Sequence, residues 1–465
     1  MCSSDLSAYS CEDLFHQRTL LEGSEAALGW LLERSRSLPL LAMVGLPLYI
    51  YLPAYYAVDL GLGLGIVGAV LLAARLWDIV VDLGIGELSD RIHTRFGRRR
   101  PWLVLSLPII CLSVELLFRP VAPVSWTYLL VWTMALYLGW TMFLLPYGAW
   151  GAELSTDYHE RSRISGSREV ASVLGTLAAV TLPALIGGDQ GNALNGLALA
   201  ILALLPPAVA IAVSTVSEPP PGPRQRQSLV EGYRVLARNR PFRRLILAYL
   251  FNGIANGLPA TLFLMFVQYR LKSPAWAGAL LLEYFLLGIA SVPLWVMASK
   301  RIGKHRAWVA AMAIACLAFL VVPFLPEGEV VWFALVCVIT GLCLGADLAL
   351  PSSMWADVVD WDTAEMGAER AGLLFALWGV ATKLALALAV GISFPLLELF
   401  GFTPGTAATG GDATSETGGL FALAVLYAWV PVAFKAIAAI LVFRFEIDAE
   451  TQADLRRRIE AGPAG

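Results

Sequence analysis

Residues 66–88 read IVGAVLLAARLWDIVVDLGIGEL, a run that is long and apolar enough to cross a membrane as a helix. Two aspartates, Asp78 and Asp82, lie inside this run, and their i, i+4 spacing places both carboxylates on one helical face. A charge at bilayer depth is strongly unfavourable and is seldom present without a role such as an ion pathway or a proton relay. The pair is therefore the first indication of what the protein does.

The composition of the whole chain agrees with a membrane setting. Of its 465 residues, 58% are hydrophobic and only 15% are charged, which is typical of a protein that crosses the membrane many times. Twelve segments are long enough to span as helices of about 20 residues. They cover residues 37–57, 64–88, 101–118, 125–150, 168–190, 194–216, 241–268, 275–299, 306–325, 330–353, 370–397 and 418–443. The predicted fold class is an all-α membrane protein with twelve transmembrane helices.

The connections between these segments predict the topology and a division into two halves. If the N-terminus is placed in the cytoplasm, most of the 33 Lys and Arg residues also fall on the cytoplasmic side. Because the number of spans is even, we expect both termini there. The run RFGRRR at 95–100 is echoed by RIGKHR at 301–306, which favours two duplicated six-helix bundles with a binding site between them. The predicted domains are an N-terminal tail (1–36), a first bundle (37–216), a Pro-rich linker (217–240), a second bundle (241–445) and a C-terminal tail (446–465).

Three stretches of the sequence resemble a known family. They are residues 75–102, which hold both aspartates and the run GRRRPW; residues 146–163, from PYGA to YHERSR; and residues 356–383, from ADVVDW to Lys383. Together they resemble the major facilitator superfamily, and within it the glycoside-pentoside-hexuronide:cation symporter branch, the melibiose-carrier-like proteins. The resemblance covers about residues 37–445. It implies the major facilitator fold and cation-coupled symport of a small organic solute.

The resemblance also implies roles for individual residues. In this branch, paired carboxylates of the second span bind the coupling cation, and these correspond to Asp78 and Asp82. A lysine of the eleventh span near the cation corresponds to Lys383. Arg75, three residues before Asp78, is a further expected charge partner. The alternative is that Arg75 and the two acids form only a structural ion-pair network that joins helices.

The coupling ion and the solute stay open at this level. Two carboxylates supply oxygen ligands for Na⁺, but a close acidic pair in a low dielectric also favours binding of H⁺. Sugar-carrying members of the branch have an acid in the first span and another just before the Pro of the fourth, whereas residues 38–44 contain no acid and Leu144 precedes Pro146. We expect a sugar, glycoside or uronide. A lysophospholipid or other amphiphile, as in animal relatives of the branch, and a non-coupled uniporter are the alternatives.

Polar and aromatic side chains in other spans are candidates for the solute cavity, because rings give contact area and polar tips give hydrogen bonds. Aromatic residues also collect at membrane interfaces, so packing is the alternative for each ring. The residues expected to line the cavity are Tyr51, Trp140, Tyr147, Asn252, Asn256, Asp347 and Trp378. Asp347 has no basic neighbour in the sequence, and Lys435 is expected to reach toward lipid headgroups.

Charged residues of the cytoplasmic connections are expected to form salt bridges that hold one conformation and break in the other. Attachment to anionic lipid is the alternative role. The expected gate residues are Asp90, Arg91, Arg98, Glu153, Arg161, Arg163, Asp357 and Asp360. Glu115 and Arg119 are spaced i, i+4 and are expected to form a simple pair at the outer interface.

Other classes of function find little support. The run GLGIVG at 63–68 fits a nucleotide-binding pattern, but it opens a membrane span instead of following a strand. The four His and six scattered Cys show no metal-ligand spacing. We expect no enzyme activity, no cofactor besides the coupling cation, no resident metal and no nucleic-acid partner. We expect a monomeric transporter that contacts lipid in a bacterial inner membrane. A receptor-like protein that keeps the transporter fold is the remaining alternative.

Overall fold

The computed structural model describes residues 38–92, 94, 96–121, 123–153, 172–183, 185, 190–215, 239–366, 371–402, 413–447 and 449–460. These residues are almost entirely helical, and their β-type contact is an isolated bridge between Thr94 and Gly97. Helices satisfy the backbone hydrogen bonds of a membrane segment internally, which explains why the long runs of Leu, Ala, Val and Ile adopt this structure.

The first half of the protein begins with the helix α1. Its helices are α1 (Leu38–Tyr49), α2 (Leu64–Arg91), α3 (Arg100–Phe118), α4 (Trp126–Glu153), α5 (Ser172–Pro183) and α6 (Gln190–Thr215). A short helix, Tyr51–Ala54, and a π turn, Tyr55–Asp59, continue α1. Gly63 precedes α2 with a φ of 86°, a left-handed conformation that glycine adopts without strain. Pro101 lies in the first turn of α3, where a missing N–H is tolerated.

The second half begins with the helix α7. Its helices are α7 (Arg240–Met265), α8 (Ala277–Ile302), α9 (Lys304–Val321), α10 (Val330–Met366), α11 (Ala371–Leu399), α12 (Ala413–Ala424), α13 (Val430–Phe443) and α14 (Ala449–Glu460). A π turn, Val425–Trp429, joins α12 to α13. The Asn239 side chain caps α7 by accepting a hydrogen bond of 2.9 Å from the Phe242 backbone N–H.

The helices agree with the predicted spans in place and length. Ten helical stretches among the described residues are long and apolar enough to cross a membrane. The predicted segment 37–57 is built by α1 and its continuation, and α5 covers the described part of segment 168–190. The tail 1–36 and linker residues 217–238 lie outside the described residues, so the expected division into two bundles stays a prediction.

The helix α10 differs from its prediction, since it reaches Met366 instead of residue 353. No Gly or Pro interrupts residues 352–366, and two acids of this extension find partners on neighbouring helices. Asp357 pairs with Lys304 at 2.6 Å, and Asp362 accepts a hydrogen bond of 3.3 Å from Asn239. The acidic run expected in a connection is therefore part of a helix.

Helix packing brings α2 of the first half against α11 of the second half. Two glycines allow this close approach. A Cβ added at Gly68 would lie 2.9 Å from the Cβ of Phe394, and one added at Gly391 would lie 2.8 Å from a methyl group of Leu72. We call these four residues the glycine seam. At the N-terminal end of α2, the backbone N–H of Gly65 donates to the carboxylate of Glu398 on α11.

Candidate functional site

The two acids of the second span lie near the middle of α2, where this helix meets α4 and α11. Lys383 on α11 places its Nζ 2.8 Å from Oδ1 of Asp78 and 2.6 Å from Oδ2 of Asp82. The Asp78 side chain is only 2% exposed, whereas Asp82 and Lys383 are 21% and 19% exposed. One ammonium group therefore bridges two carboxylates between the halves, and part of this bridge is open to solvent.

Arg75, one turn before Asp78 on α2, brings a second positive charge to the site. Its Nη1 lies 3.5 Å from Oδ2 of Asp78, and its guanidinium carbon lies 4.4 Å from the centroid of the Tyr137 ring. The second contact is a cation–π interaction. Arg75 is thus the more distant of the two cations at Asp78. The two acids, Arg75 and Lys383 together carry no net charge.

Thr141 on α4 belongs to this site and was not among the residues selected from the sequence. Its Oγ1 lies 2.8 Å from Oδ1 of Asp82 and 3.3 Å from Oδ1 of Asp78. A hydroxyl has one proton to donate, so the shorter contact with Asp82 receives it. The available signal was spacing, because Thr141 follows Tyr137 by four residues and shares its helical face. A single sequence does not say that this face meets α2.

This geometry permits an exchange of the lysine for a metal cation. Two carboxylates hold the Lys383 ammonium group, the Thr141 hydroxyl lies beside both carboxylates, and hard cations prefer such oxygen ligands. A monovalent cation that replaced the ammonium would leave the charge around Asp78 and Asp82 unchanged. We call Asp78, Asp82, Arg75, Lys383 and Thr141 the inter-half cluster.

A second cluster of buried polar groups lies within the second half. Lys435 on α13 places its Nζ 2.7 Å from Oδ1 of Asn252, 2.8 Å from Oδ1 of Asn256 and 3.2 Å from Oδ2 of Asp347. Asp347 also accepts hydrogen bonds from the two Asn side chains, at 3.1 and 2.9 Å, and from Nε1 of Trp308 at 2.6 Å. Each ammonium proton therefore has an acceptor, and four donors surround the carboxylate. We call these five residues the second-half cluster.

The second-half cluster corrects two expectations. Lys435 does not reach the lipid headgroups, because the residue is 5% exposed and three acceptors hold its ammonium group. Asp347 has a basic partner after all, contributed by a helix far away in the sequence. Asn252, Asn256 and Asp347, which were expected to line the solute cavity, hydrogen-bond with Lys435, Trp308 or one another, and their role in binding a solute stays a prediction.

Two cavities in the described part of the chain adjoin the second-half cluster. The smaller one, of about 290 Å³, is bordered by Asp347 and Lys435. The larger one, of about 590 Å³, has mostly apolar walls from α7, α8 and α10, and it also touches Ile50 of the first half. Both volumes are lined by Asn256, Tyr284, Phe319 and Thr340. We treat them as one space and call it the second-half cavity.

The aromatic residues expected around a solute have different surroundings. Tyr51 and Tyr147 are 5% and 8% exposed in the apolar core, and neither lines the second-half cavity. Trp140 lies against a glycine of α1, whose added Cβ would be 3.3 Å from the ring. These three rings pack against neighbouring helices, and their place around a solute stays a prediction. Trp378 instead stacks on Tyr249, with ring centroids 3.8 Å apart.

The expected cytoplasmic gate is described only in part. The side chains of Asp90, Arg91 and Glu153, and the residues Arg161 and Arg163, lie outside the described part of the chain. Arg98 and Asp360 are half-buried. The ion pair of Asp357 with Lys304 joins α10 to the start of α9, which is a contact within the second half. A gating role for these residues stays a prediction.

Comparison with known proteins identifies the family. The family model described as "MFS/sugar transport protein" matches residues 38–449, which is most of the chain. The chain belongs to this family. MFS stands for the major facilitator superfamily, so the resemblance in the three stretches of sequence is confirmed. The family is one of membrane transporters, and the apolar helices make this MFS protein an integral membrane protein.

Relatives of this MFS protein have names that refer to different solutes. The human sodium-dependent lysophosphatidylcholine symporter 1 is 24% identical over 436 residues, which cover 84% of this chain and 78% of the relative. The glucuronide carrier protein homolog of Escherichia coli (strain K12) is 24% identical over 375 residues, covering 76% and 79%. The isoprimeverose transporter of Lactiplantibacillus pentosus is 23% identical over 426 residues, covering 86% and 84%.

Solved structures similar to the MFS protein support the fold. A bacterial homolog of the human lysosomal transporter Spinster, inward-facing and unoccupied, has a TM-score of 0.64 at 14% identity and covers 94% of this chain and 98% of its own. A D-xylose-proton symporter has a TM-score of 0.59 at 16% identity and covers 92% and 97%. At these identities the likeness establishes the major facilitator fold alone.

Proposed function

We propose that the protein is a cation-coupled secondary symporter that moves a small organic solute by alternating access. The observation that carries this proposal is the Lys383 bridge, because an ammonium group of α11 is bound by two carboxylates of α2. A cation that took its place would remove an ionic contact between the halves. Coupled transport requires such a link between occupancy of the ion site and the relative stability of two conformations.

Na⁺ is the coupling ion that we propose, with H⁺ as the alternative. The convergence of Asp78, Asp82 and Thr141 supplies oxygen ligands from two helices, which suits a hard metal cation. The names of several relatives include the words sodium-dependent, which supports the same choice. Lys383 and Arg75 then serve as charge partners that keep the empty site neutral.

The proposed solute is a sugar, glycoside or uronide, in line with the glucuronide and isoprimeverose relatives. The missing acids of the first and fourth spans and the relatives named for lysophosphatidylcholine support an amphiphile as the second candidate. We further propose a monomer in a bacterial inner membrane, with both termini in the cytoplasm and lipid around its apolar helices.

Uptake into liposomes tests this function. The purified protein is reconstituted, a Na⁺ gradient or a pH gradient is imposed, and accumulation of radiolabelled 4-nitrophenyl glucuronide, isoprimeverose and lysophosphatidylcholine is followed. We expect accumulation of at least one solute above its external concentration when the Na⁺ gradient is present. Uptake that stops at equilibrium and ignores both gradients would instead identify a uniporter and refute the coupling proposal.

A further inference from the structure

The second-half cavity differs in character from a sugar site. Its larger part is bordered by apolar side chains, among them Phe263, Phe285, Phe319 and Val336, and no charged residue lines it. This part is lined by side chains of α7, α8, α9 and α10 and by Tyr427, so a group that enters it contacts apolar surface from several helices. A polyhydroxylated ring placed there would leave hydroxyl groups without hydrogen-bond partners, which is unfavourable in an apolar environment. The lining therefore selects for apolar surface.

The polar groups at the end of this cavity are already occupied. Asn256 exchanges hydrogen bonds with Lys435 and Asp347, and the Thr340 hydroxyl donates to the backbone carbonyl of Val336 at 2.7 Å. No hydrogen bond joins the Tyr284 hydroxyl to another residue in the part of the chain that the structure describes. The cavity thus offers a ligand an apolar wall, and the Tyr284 hydroxyl on that wall has no hydrogen-bond partner among the described residues.

A row of α7 side chains connects this cavity with the inter-half cluster. Tyr249, Asn252 and Asn256 share one face of α7 at spacings of three and four residues. The Thr382 hydroxyl donates to the backbone carbonyl of Trp378 at 3.0 Å, so the Tyr249 hydroxyl, 3.1 Å away, donates to Thr382. Thr382 is the residue next to Lys383. The α7 face that carries Asn256 therefore also contacts α11 one residue before Lys383.

We propose that the second-half cavity binds an apolar group, aliphatic or aromatic, of the transported solute. This inference rests on the proposed transport function and narrows its substrate class to solutes that combine a polar head with an uncharged apolar part. The Tyr284 hydroxyl binds the polar atom that links the two parts. Alkyl or aryl glycosides and lysolipids both have this chemistry, and the two arms of the test distinguish between them.

The test compares chain-length dependence in wild type and in a variant with a filled cavity. Ala260 lines the cavity, and Ala260→Phe places a ring inside it. Ala279 on α8 is exposed on the outer surface, so Ala279→Phe is the matched control for size and chemistry. Binding of ethyl to hexyl glucuronides, and of lysophosphatidylcholines with increasing acyl chains, is measured by calorimetry in nanodiscs and referred to the free aqueous concentration.

We expect wild type and Ala279→Phe to bind one of the two series about fourfold more tightly for each methylene group added. Ala260→Phe loses this dependence. Tyr284→Phe removes no apolar wall, so it weakens all members of the series by a similar factor and keeps the slope. It serves as the second readout should Ala260→Phe not fold. Equal slopes in wild type and Ala260→Phe, or no slope in either series, overturn the proposal.

The outcomes separate this inference from the transport function on which it rests. If the wild-type affinity rises with chain length but uptake does not depend on either ion gradient, symport is refuted and the cavity proposal stands. If an ion gradient drives uptake of a free sugar but the binding affinity does not depend on chain length, the cavity proposal is refuted and symport stands. The slope should also persist in Asp82→Asn, because Asp82 does not line the cavity.

Discussion

The inter-half cluster and the second-half cluster both contain a lysine paired with carboxylate, but they differ in exposure and in hydrogen bonding. In both, a lysine ammonium lies against carboxylate at membrane depth. Lys383 joins helices from the two halves and stays 19% exposed, whereas Lys435 joins helices of one half and its side chain is 7% exposed. The first ion pair joins the two halves, which the proposed alternating access would move relative to one another, and the second lies inside one half.

The difference in hydrogen bonding indicates what each cluster can do. Around Asp347 and Lys435, two Asn side chains and Trp308 supply hydrogen-bond partners to both charged groups. Around Asp78 and Asp82, the lysine is the main neutralising partner, and removing it leaves a pocket of oxygen atoms. Complete hydrogen bonding stabilises a helix contact, while incomplete hydrogen bonding leaves a site available for exchange.

The largest effect is expected from Lys435→Met, which tests the structural role of the second-half cluster. The change leaves Asp347 as a buried charge without a cation, and breaking a buried pair in this way costs about 3–5 kcal/mol. The measurement is the unfolding transition of purified protein in detergent. The double variant Asp347→Leu/Lys435→Met removes both charges and should recover most of the loss. A single variant as stable as wild type would show that this pair contributes no stability.

Asp82→Asn should have the next largest effect, and it acts on the inter-half cluster. The amide keeps the shape of the side chain but removes a negative charge from the proposed cation site, so we expect at least a tenfold loss of gradient-driven accumulation, about 1.4 kcal/mol or more. Uptake in liposomes measures this loss, and the unfolding transition should change little. Glu115→Gln, which removes a carboxylate outside the site, is the control. Wild-type accumulation in Asp82→Asn would rule out the assignment.

A smaller effect is expected from Thr141→Val, which asks whether the hydroxyl is a cation ligand. Loss of one oxygen contact and of its hydrogen bond to Asp82 should weaken cation activation of uptake by about three- to tenfold, or about 0.5–1.5 kcal/mol. The measurement is the Na⁺ concentration that gives half-maximal uptake. Thr141→Ser retains the hydroxyl and should restore the wild-type value. If serine and valine behave alike, Thr141 acts only through packing.

The smallest effect is expected from Arg119→Ala, which calibrates the comparison with an exposed ion pair. Arg119 lies 2.9 Å from Glu115, and both side chains are 40% exposed. An i, i+4 pair in this setting contributes about 0.3–0.5 kcal/mol. The unfolding transition should therefore shift far less than in Lys435→Met. A comparable shift in both variants would mean that burial does not distinguish the clusters.

The sequence predicted the helices and singled out Asp78 and Asp82 of α2, for different reasons. Runs of apolar residues have few alternatives to a helix in a bilayer, so α2 and α3 begin within one residue of the predicted spans. Asp78 and Asp82 stood out because a charge is conspicuous in an apolar run. The contact with Lys383 came from the family resemblance, since nothing local pairs α2 with α11.

The second-half cluster could not be predicted, because its residues come from four helices that only the folded chain brings together. Lys435 and Asp347 are each unusual as charged residues in an apolar span, but the sequences of α13 and α10 do not say which helix each residue contacts. The extension of α10 to Met366 was missed for a similar reason. Acidic residues are typical of a connection, and the sequence does not show that Asp357 and Asp362 have Lys304 and Asn239 as partners.

The glycine seam between α2 and α11 has a consequence for how variants of this protein would be selected. Under the proposed alternating access, an alanine in place of Gly68 or Gly391 would disfavour the conformation in which α2 and α11 touch relative to one in which they separate. An alanine at either position would thus alter the fraction of time that the protein is open to each side of the membrane, with little change in protein yield. Screens that score expression alone would pass such variants, and screens that score turnover would reject them.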